Sequence, residues 1–286
     1  MARASCLRAR LVAPDDAREG PRPGRARHRR GAGHGRGARP PRGVVDREGF
    51  RARLRCVHGR GAAPGGRSQR EDTMTHLRVC FVGDSITAGT GDDDFLGWPG
   101  RLCARERAKG HDLALYNLGV RGDTSDQIRP RWRAECAART PADVSCALLF
   151  AFGINDSCED VGKGPRVPLE RSLANARAIL SEAKAWLPTV WIGPTPVDDS
   201  KMPMRPRPSI NYHFRNREIA RYALAFRGLA AELNIPYLDL FTPFANDARF
   251  AADLAAGDGV HPLRAGYAQM TDAIERWPAW RAWLDV

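Results

Sequence analysis

Four short motifs in this chain hold residue types suited to acyl transfer. Ser85 closes Gly83-Asp84-Ser85, directly after the apolar run 77–82. A serine hydroxyl is a poor nucleophile until a base takes its proton. His261, in Asp258-Gly259-Val260-His261-Pro262, is the natural base, because a free imidazole titrates near neutrality. Asp258 lies three residues earlier in a glycine-containing turn, within reach of the imidazole Nδ1. An acid there fixes the tautomer and stabilises the imidazolium. A tetrahedral intermediate also needs donors for its oxyanion. The Ser85 N–H is one. Gly122, in Asn117-Leu118-Gly119-Val120-Arg121-Gly122-Asp123-Thr124, is a second, because without a Cβ it admits substrate to its N–H. The Asn155 side-chain amide, in Gly153-Ile154-Asn155-Asp156, is the third.

Each motif alone has an ordinary explanation. Gly-Asp-Ser can simply cap a helix, and so can Asn155-Asp156. Asp258-Gly259 can be a turn, His261 a surface residue before a helix-starting proline, and Gly122 a turn glycine. Their placement argues otherwise. Apolar runs of strand character recur at 77–82, 113–118, 146–152, 190–192 and 235–240. Helical spacing appears at 101–109, 124–139 (with Pro130 kinking it or moving its start), 169–186, 213–233 and 263–283 (broken near Pro278). Strands alternating with helices imply parallel pairing and right-handed crossovers. The reading is a three-layer α/β/α domain around a five-stranded parallel sheet. Three motifs follow the first three strands and the fourth precedes the last helix. All four loops therefore converge at one sheet edge, where ligands of open α/β sheets bind.

Together the four blocks resemble the SGNH hydrolases, also called the GDSL esterase/lipase family. By position the family's Ser, Gly, Asn and His correspond to Ser85, Gly122, Asn155 and His261, with Asp258 as the preceding acid. The resemblance covers residues 74–286 and none of 1–73. It implies a flavodoxin-like sheet order and serine chemistry on a small-molecule carboxylic ester or thioester through an acyl-enzyme. It implies no cofactor and no metal. Carbohydrate O-deacetylation, served by the same fold, is the alternative. The sequence around Ser85 lacks the Gly-x-Ser-x-Gly elbow, which argues against the α/β-hydrolase fold. Arg121 beside Gly122 is a departure: it either points to solvent or favours an anionic substrate. The walls of the pocket are assigned to Trp98 and the Pro-rich stretch 194–208, with Met202, Met204 and Tyr212 as an apolar surface.

The formal charge of +12 would suggest an anionic partner. It is unevenly placed, however. Residues 1–73 hold nineteen Arg, no Lys and seven acidic residues, whereas 74–286 balance 26 basic against 26 acidic residues. The Arg/Gly/Ala/Pro-rich segment 1–73 has few large apolar residues, so disorder is the expectation. It reads as an extension produced by start-site choice upstream of Met74. A basic nucleic-acid-binding arm is the reading of a different class, and nucleic acid is not the expected partner. The seven Cys match neither a zinc pattern nor a disulfide framework, which points to a reducing, cytoplasmic setting. No apolar run of eighteen residues occurs, so no membrane span is expected. No apolar h-region follows the basic N-terminus, so no secretory signal is expected either.

Overall fold

The computed structural model describes residues 76–284. The segment 1–73, read above as a disordered extension, lies outside them. The strands are β1 (His76–Gly83), β2 (Asp112–Gly119), β3 (Cys146–Ala151), β4 (Glu159–Asp160), β5 (Gly164–Pro165), β6 (Thr189–Ile192), β7 (Tyr212–His213) and β8 (Tyr237–Leu238). Five of them form one parallel sheet in the order β2-β1-β3-β6-β8. Ranked along the chain this is 2-1-3-4-5, the flavodoxin-like order, whose switch point lies between the first and third strands. In β1, Val79 to Val82 are all fully buried, as a central strand covered on both faces requires. Gly83 pairs with both Gly119 and Ala151, so β1, β2 and β3 end at the same level. The short strands β4, β5 and β7 make a separate antiparallel ribbon.

The helices are α1 (Ser85–Ala88), α2 (Gly97–Ala108), α3 (Ser125–Ala137), α4 (Ile154–Ser157), α5 (Leu169–Trp186), α6 (Asn216–Glu232), α7 (Phe241–Phe244), α8 (Ala248–Ala256), α9 (Arg264–Glu275) and α10 (Pro278–Arg281). Alternate residues of β1 point to opposite faces of the sheet. Val79 and Phe81 meet Leu102 of α2, Met270 and Ile274 of α9, and Trp280 of α10. Cys80 and Val82 join Trp132 of α3, Ile179 and Leu180 of α5, and Phe226 of α6. The three expected layers are present.

Several element boundaries differ from the sequence expectation. The helix expected over 101–109 begins at Gly97, because Pro99 sits in its first turn, where no donor is needed. Its Trp98 is not a pocket wall. The indole is fully buried edge-on against Phe81, with ring centroids 5.4 Å apart. Pro130 lies inside α3 without ending it. The helix expected from 213 starts at Asn216, because Tyr212 and His213 pair with Asp160 and Glu159 in the ribbon. The break expected near Pro278 within 263–283 is present, Trp277 separating α9 from α10. Helix α8 was not anticipated; only Phe250 and Leu254 of its nine residues are buried. Among the described residues no helix is long and apolar enough to cross a membrane.

Candidate active site

The turn from β1 into α1 is crowded. A Cβ on Gly83 would lie 2.2 Å from Thr87 Oγ1 and 2.3 Å from the Ala151 carbonyl oxygen, so only glycine fits. Asp84 caps α1, its Oδ1 accepting from the Ile86 N–H at 3.0 Å. Ser85 therefore opens a helical turn at the carboxyl end of β1. Arg131 fixes this end of the sheet. Its guanidinium donates to the carbonyls of Gly83 (2.9 Å) and Leu118 (3.0 Å) and pairs with Asp123 (2.7 Å).

The other half of the site comes from the loop between α8 and α9. Asp258 Oδ1 accepts the main-chain N–H groups of Val260 (2.9 Å) and His261 (2.8 Å). Its Oδ2 lies 2.6 Å from His261 Nδ1. His261 Nε2 lies 2.8 Å from Ser85 Oγ. An acid, an imidazole and a hydroxyl thus form one hydrogen-bonded line across 176 residues of sequence. The loop is held from several sides. Asp253 accepts the Leu263 N–H at 2.7 Å, the Asp198 N–H donates to Gly259 O at 2.7 Å, and Lys201 Nζ donates to Gly257 O at 2.5 Å. Partial burial alone would raise the Asp258 carboxyl. The His261 ring, its charge and the two main-chain donors outweigh burial and hold it well below the usual carboxylate range. Ser85 and His261 are buried to within a few per cent, and the Asp258 carboxylate is half exposed.

The proposed oxyanion donors sit on the next loops. Gly122 has φ +80°, and a Cβ there would meet nothing within 4 Å. Glycine is therefore required by the backbone conformation and not by crowding, and the space beyond it is open. Asn155 is buried in α4. Its Nδ2 donates to Asp84 Oδ2 at 3.3 Å, and its Oδ1 accepts from Arg166 at 3.0 Å. The same guanidinium donates to Gly122 O at 2.7 Å. Arg121 is exposed.

Sequence reasoning gave no role to four residues that organise this site. Asp156 is fully buried and accepts from the Ser125 N–H (2.8 Å) and the Ser172 hydroxyl (2.5 Å), tying the third loop to α3 and α5. Asp84, Arg131 and Arg166 are the others. Asp84 and Asp156 stood inside the quoted motifs, whereas the two arginines carry no local signal. Among the described residues no group of three or more His, Cys, Asp or Glu is placed to hold a metal ion.

Burial is the largest influence on Asp84 and raises its carboxyl to about 6, against the Ile86 N–H, the charge of His261 and the Asn155 amide. Its folded value thus lies above the ordinary 3.8. The native state therefore keeps a proton that the unfolded chain has released, and this contribution to stability is full below about pH 4 and lost as pH rises through 6. Two units correspond to about 3 kcal/mol. Asn keeps the cap without the charge. The stability of Asp84→Asn relative to the unmodified chain is expected to rise by about 3 kcal/mol between pH 4 and 7, read by denaturant unfolding. A difference that stays flat across this window would show that Asp84 is not a buried charge.

The model of the GDSL-like lipase/acylhydrolase family matches residues 81–269. Esterase TesA of Pseudomonas aeruginosa is 24% identical over 202 residues, which are 70% of this chain and 86% of that protein. A lipase/acylhydrolase from Enterococcus faecalis superposes with a TM-score of 0.55 at 24% identity, covering 71% of this chain and 96% of that one. The acetylxylan esterase Axe2 from Geobacillus stearothermophilus superposes with a TM-score of 0.55 at 20% identity, covering 73% of this chain and 98% of that one. These two structural likenesses speak to the fold.

Proposed function

Because this chain belongs to the GDSL-like lipase/acylhydrolase family and is a carboxylic ester hydrolase, we propose that Ser85, His261 and Asp258 are its catalytic triad, acting through an acyl-enzyme. The observation that carries this reading is the unbroken line from Asp258 Oδ2 through His261 to Ser85 Oγ. Ser85 Oγ attacks the ester carbonyl carbon as His261 Nε2 takes its proton. Asp258, bonded to Nδ1, stabilises the imidazolium. The carbonyl oxygen becomes an oxyanion, with the Ser85 N–H, the Gly122 N–H and Asn155 Nδ2 as its donors. On collapse the C–O bond to the leaving group breaks, and His261 returns the proton to the departing alcohol. Water then attacks the acyl carbon, again losing its proton to His261, and the carboxylic acid leaves as Ser85 recovers its hydroxyl.

Asn155→Ala tests the oxyanion role. Loss of one donor is expected to lower kcat by about 10²–10³-fold with KM little changed. Steady-state kinetics on a simple ester decide it, and a change confined to KM would make Asn155 a substrate contact only. We assign the activity to 74–286 and to the cytoplasm, in keeping with the five cysteines among the described residues, all buried free thiols. The substrate class is a small carboxylic ester or thioester. A panel of acyl esters and thioesters from acetyl to decanoyl, with an acetylated oligosaccharide beside them, tests this. Preference for the sugar ester would redirect the reading to carbohydrate deacetylation, and inertness of every substrate would refute hydrolysis at this site.

A further inference from the structure

Arg166 is the residue on which two of the proposed oxyanion donors meet. Its main chain is tethered beside the site, its N–H donating to Cys158 O at 2.8 Å. Its side chain lies over the Tyr212 ring, with Cζ 4.6 Å from the centroid. One terminal nitrogen donates to Asn155 Oδ1 at 3.0 Å and the other to Gly122 O at 2.7 Å. Both acceptors are neutral carbonyls, and among the described residues no carboxylate pairs with this guanidinium.

The chemistry of the fork gives these bonds a consequence. A guanidinium donates and never accepts. The amide atom facing it must therefore be oxygen, which turns Asn155 Nδ2 to the opposite side, where it donates to Asp84 Oδ2. Turned over, the amide would present Oδ1, an acceptor, to a negative oxygen. The second arm restrains Gly122, whose left-handed backbone is otherwise soft. These two residues come from loops after different strands, β2 and β3, and a single planar group spans them. Preorganised donors stabilise a developing charge without reorganising during the reaction. The positive charge left without a carboxylate partner acts in the same sense.

We propose that Arg166 is a positioning residue of the oxyanion site, its forked guanidinium holding the Asn155 amide and the Gly122 loop in the orientation that receives the oxyanion. The proposal rests on the oxyanion role given to Asn155 above. Lysine cannot reproduce the fork, because its ammonium is a point donor. Arg166→Lys and Arg166→Ala are each expected to lower kcat by about 10–100-fold, part of what loss of a whole donor costs, with KM within about twofold. In the Asn155→Ala background the same changes are expected to cost clearly less than in the unmodified chain, because one of the two groups through which Arg166 acts is gone and only its hold on Gly122 remains. Losses that multiply, an effect on KM alone, or full kcat in Arg166→Lys would overturn the proposal. A second readout is independent of turnover. The Asn155 side-chain NH₂ pair, identified in an ¹⁵N spectrum by its disappearance in Asn155→Ala, is expected to shift and broaden in Arg166→Lys. An unmoved pair overturns the proposal even if kcat falls. If Asn155→Ala keeps its kcat, the oxyanion reading fails, and the spectrum still decides whether Arg166 sets the amide.

Discussion

Ser85→Ala is expected to lower kcat for ester hydrolysis by about 10⁶-fold, the scale seen when a triad loses its nucleophile. The geometry explains the size. Ser85 Oγ is the hydroxyl within hydrogen-bond reach of His261 Nε2, and it opens α1 at the end of β1. Its loss removes the covalent route and leaves the oxyanion donors to act only on the slow direct attack of water. The fold should not notice, because alanine suits the first turn of a helix and the Asp84 cap is untouched. Kinetics should therefore be paired with thermal unfolding and with a fluorophosphonate probe. The probe is expected to label the unmodified chain at Ser85 and to leave the variant unlabelled. Turnover above contamination in a folded variant, or labelling at another residue, would remove Ser85 from the mechanism.

Asp258→Asn is expected to cost about 10⁴-fold in kcat, although the change is a single atom. Asp258 Oδ1 is already occupied by two main-chain N–H groups, and only an oxygen can accept them. The substituted amide must then present its NH₂ to His261 Nδ1. A donor at that position makes Nδ1 the acceptor and moves the ring proton to Nε2, which faces Ser85 Oγ at 2.8 Å. The imidazole can then no longer accept the serine proton. Structure should be preserved, because the turn bonds survive. A loss below about tenfold would show that the carboxylate does not set the tautomer.

The fold was legible because its signals are local and repeated. The run 77–82 is apolar but for Arg78 and becomes a strand buried on both faces from Val79 on. The 3.6-residue spacing from Leu169 to Trp186 becomes a helix of the same span. The four motifs were legible as candidates because turn residues at strand ends are dense in Gly, Asp, Asn and Ser. What escaped depended on contacts between distant segments. Trp98 looked like a loop residue beside glycines, yet its burial comes from Phe81 on the adjoining strand. Arg131 and Arg166 looked like two of many arginines. Their significance lies in which carbonyls they reach, 13, 48 and 44 positions away in sequence for Leu118, Gly83 and Gly122. Helix α8 carries Phe250 and Leu254 at the i, i+4 spacing of one helical face, so its pattern was present in the sequence and was passed over.

The span between Ser85 and His261 makes activity a strict gauge of native structure. All five strands of the parallel sheet are complete by Leu238, before His261 enters the chain. A population whose sheet has formed while α9 is still undocked would show most of the native circular dichroism and hydrolyse nothing. Catalysis lost ahead of the far-ultraviolet signal under gradual denaturation would reveal such a population. For the same reason, refolding yield measured by spectroscopy would overstate the fraction of competent enzyme.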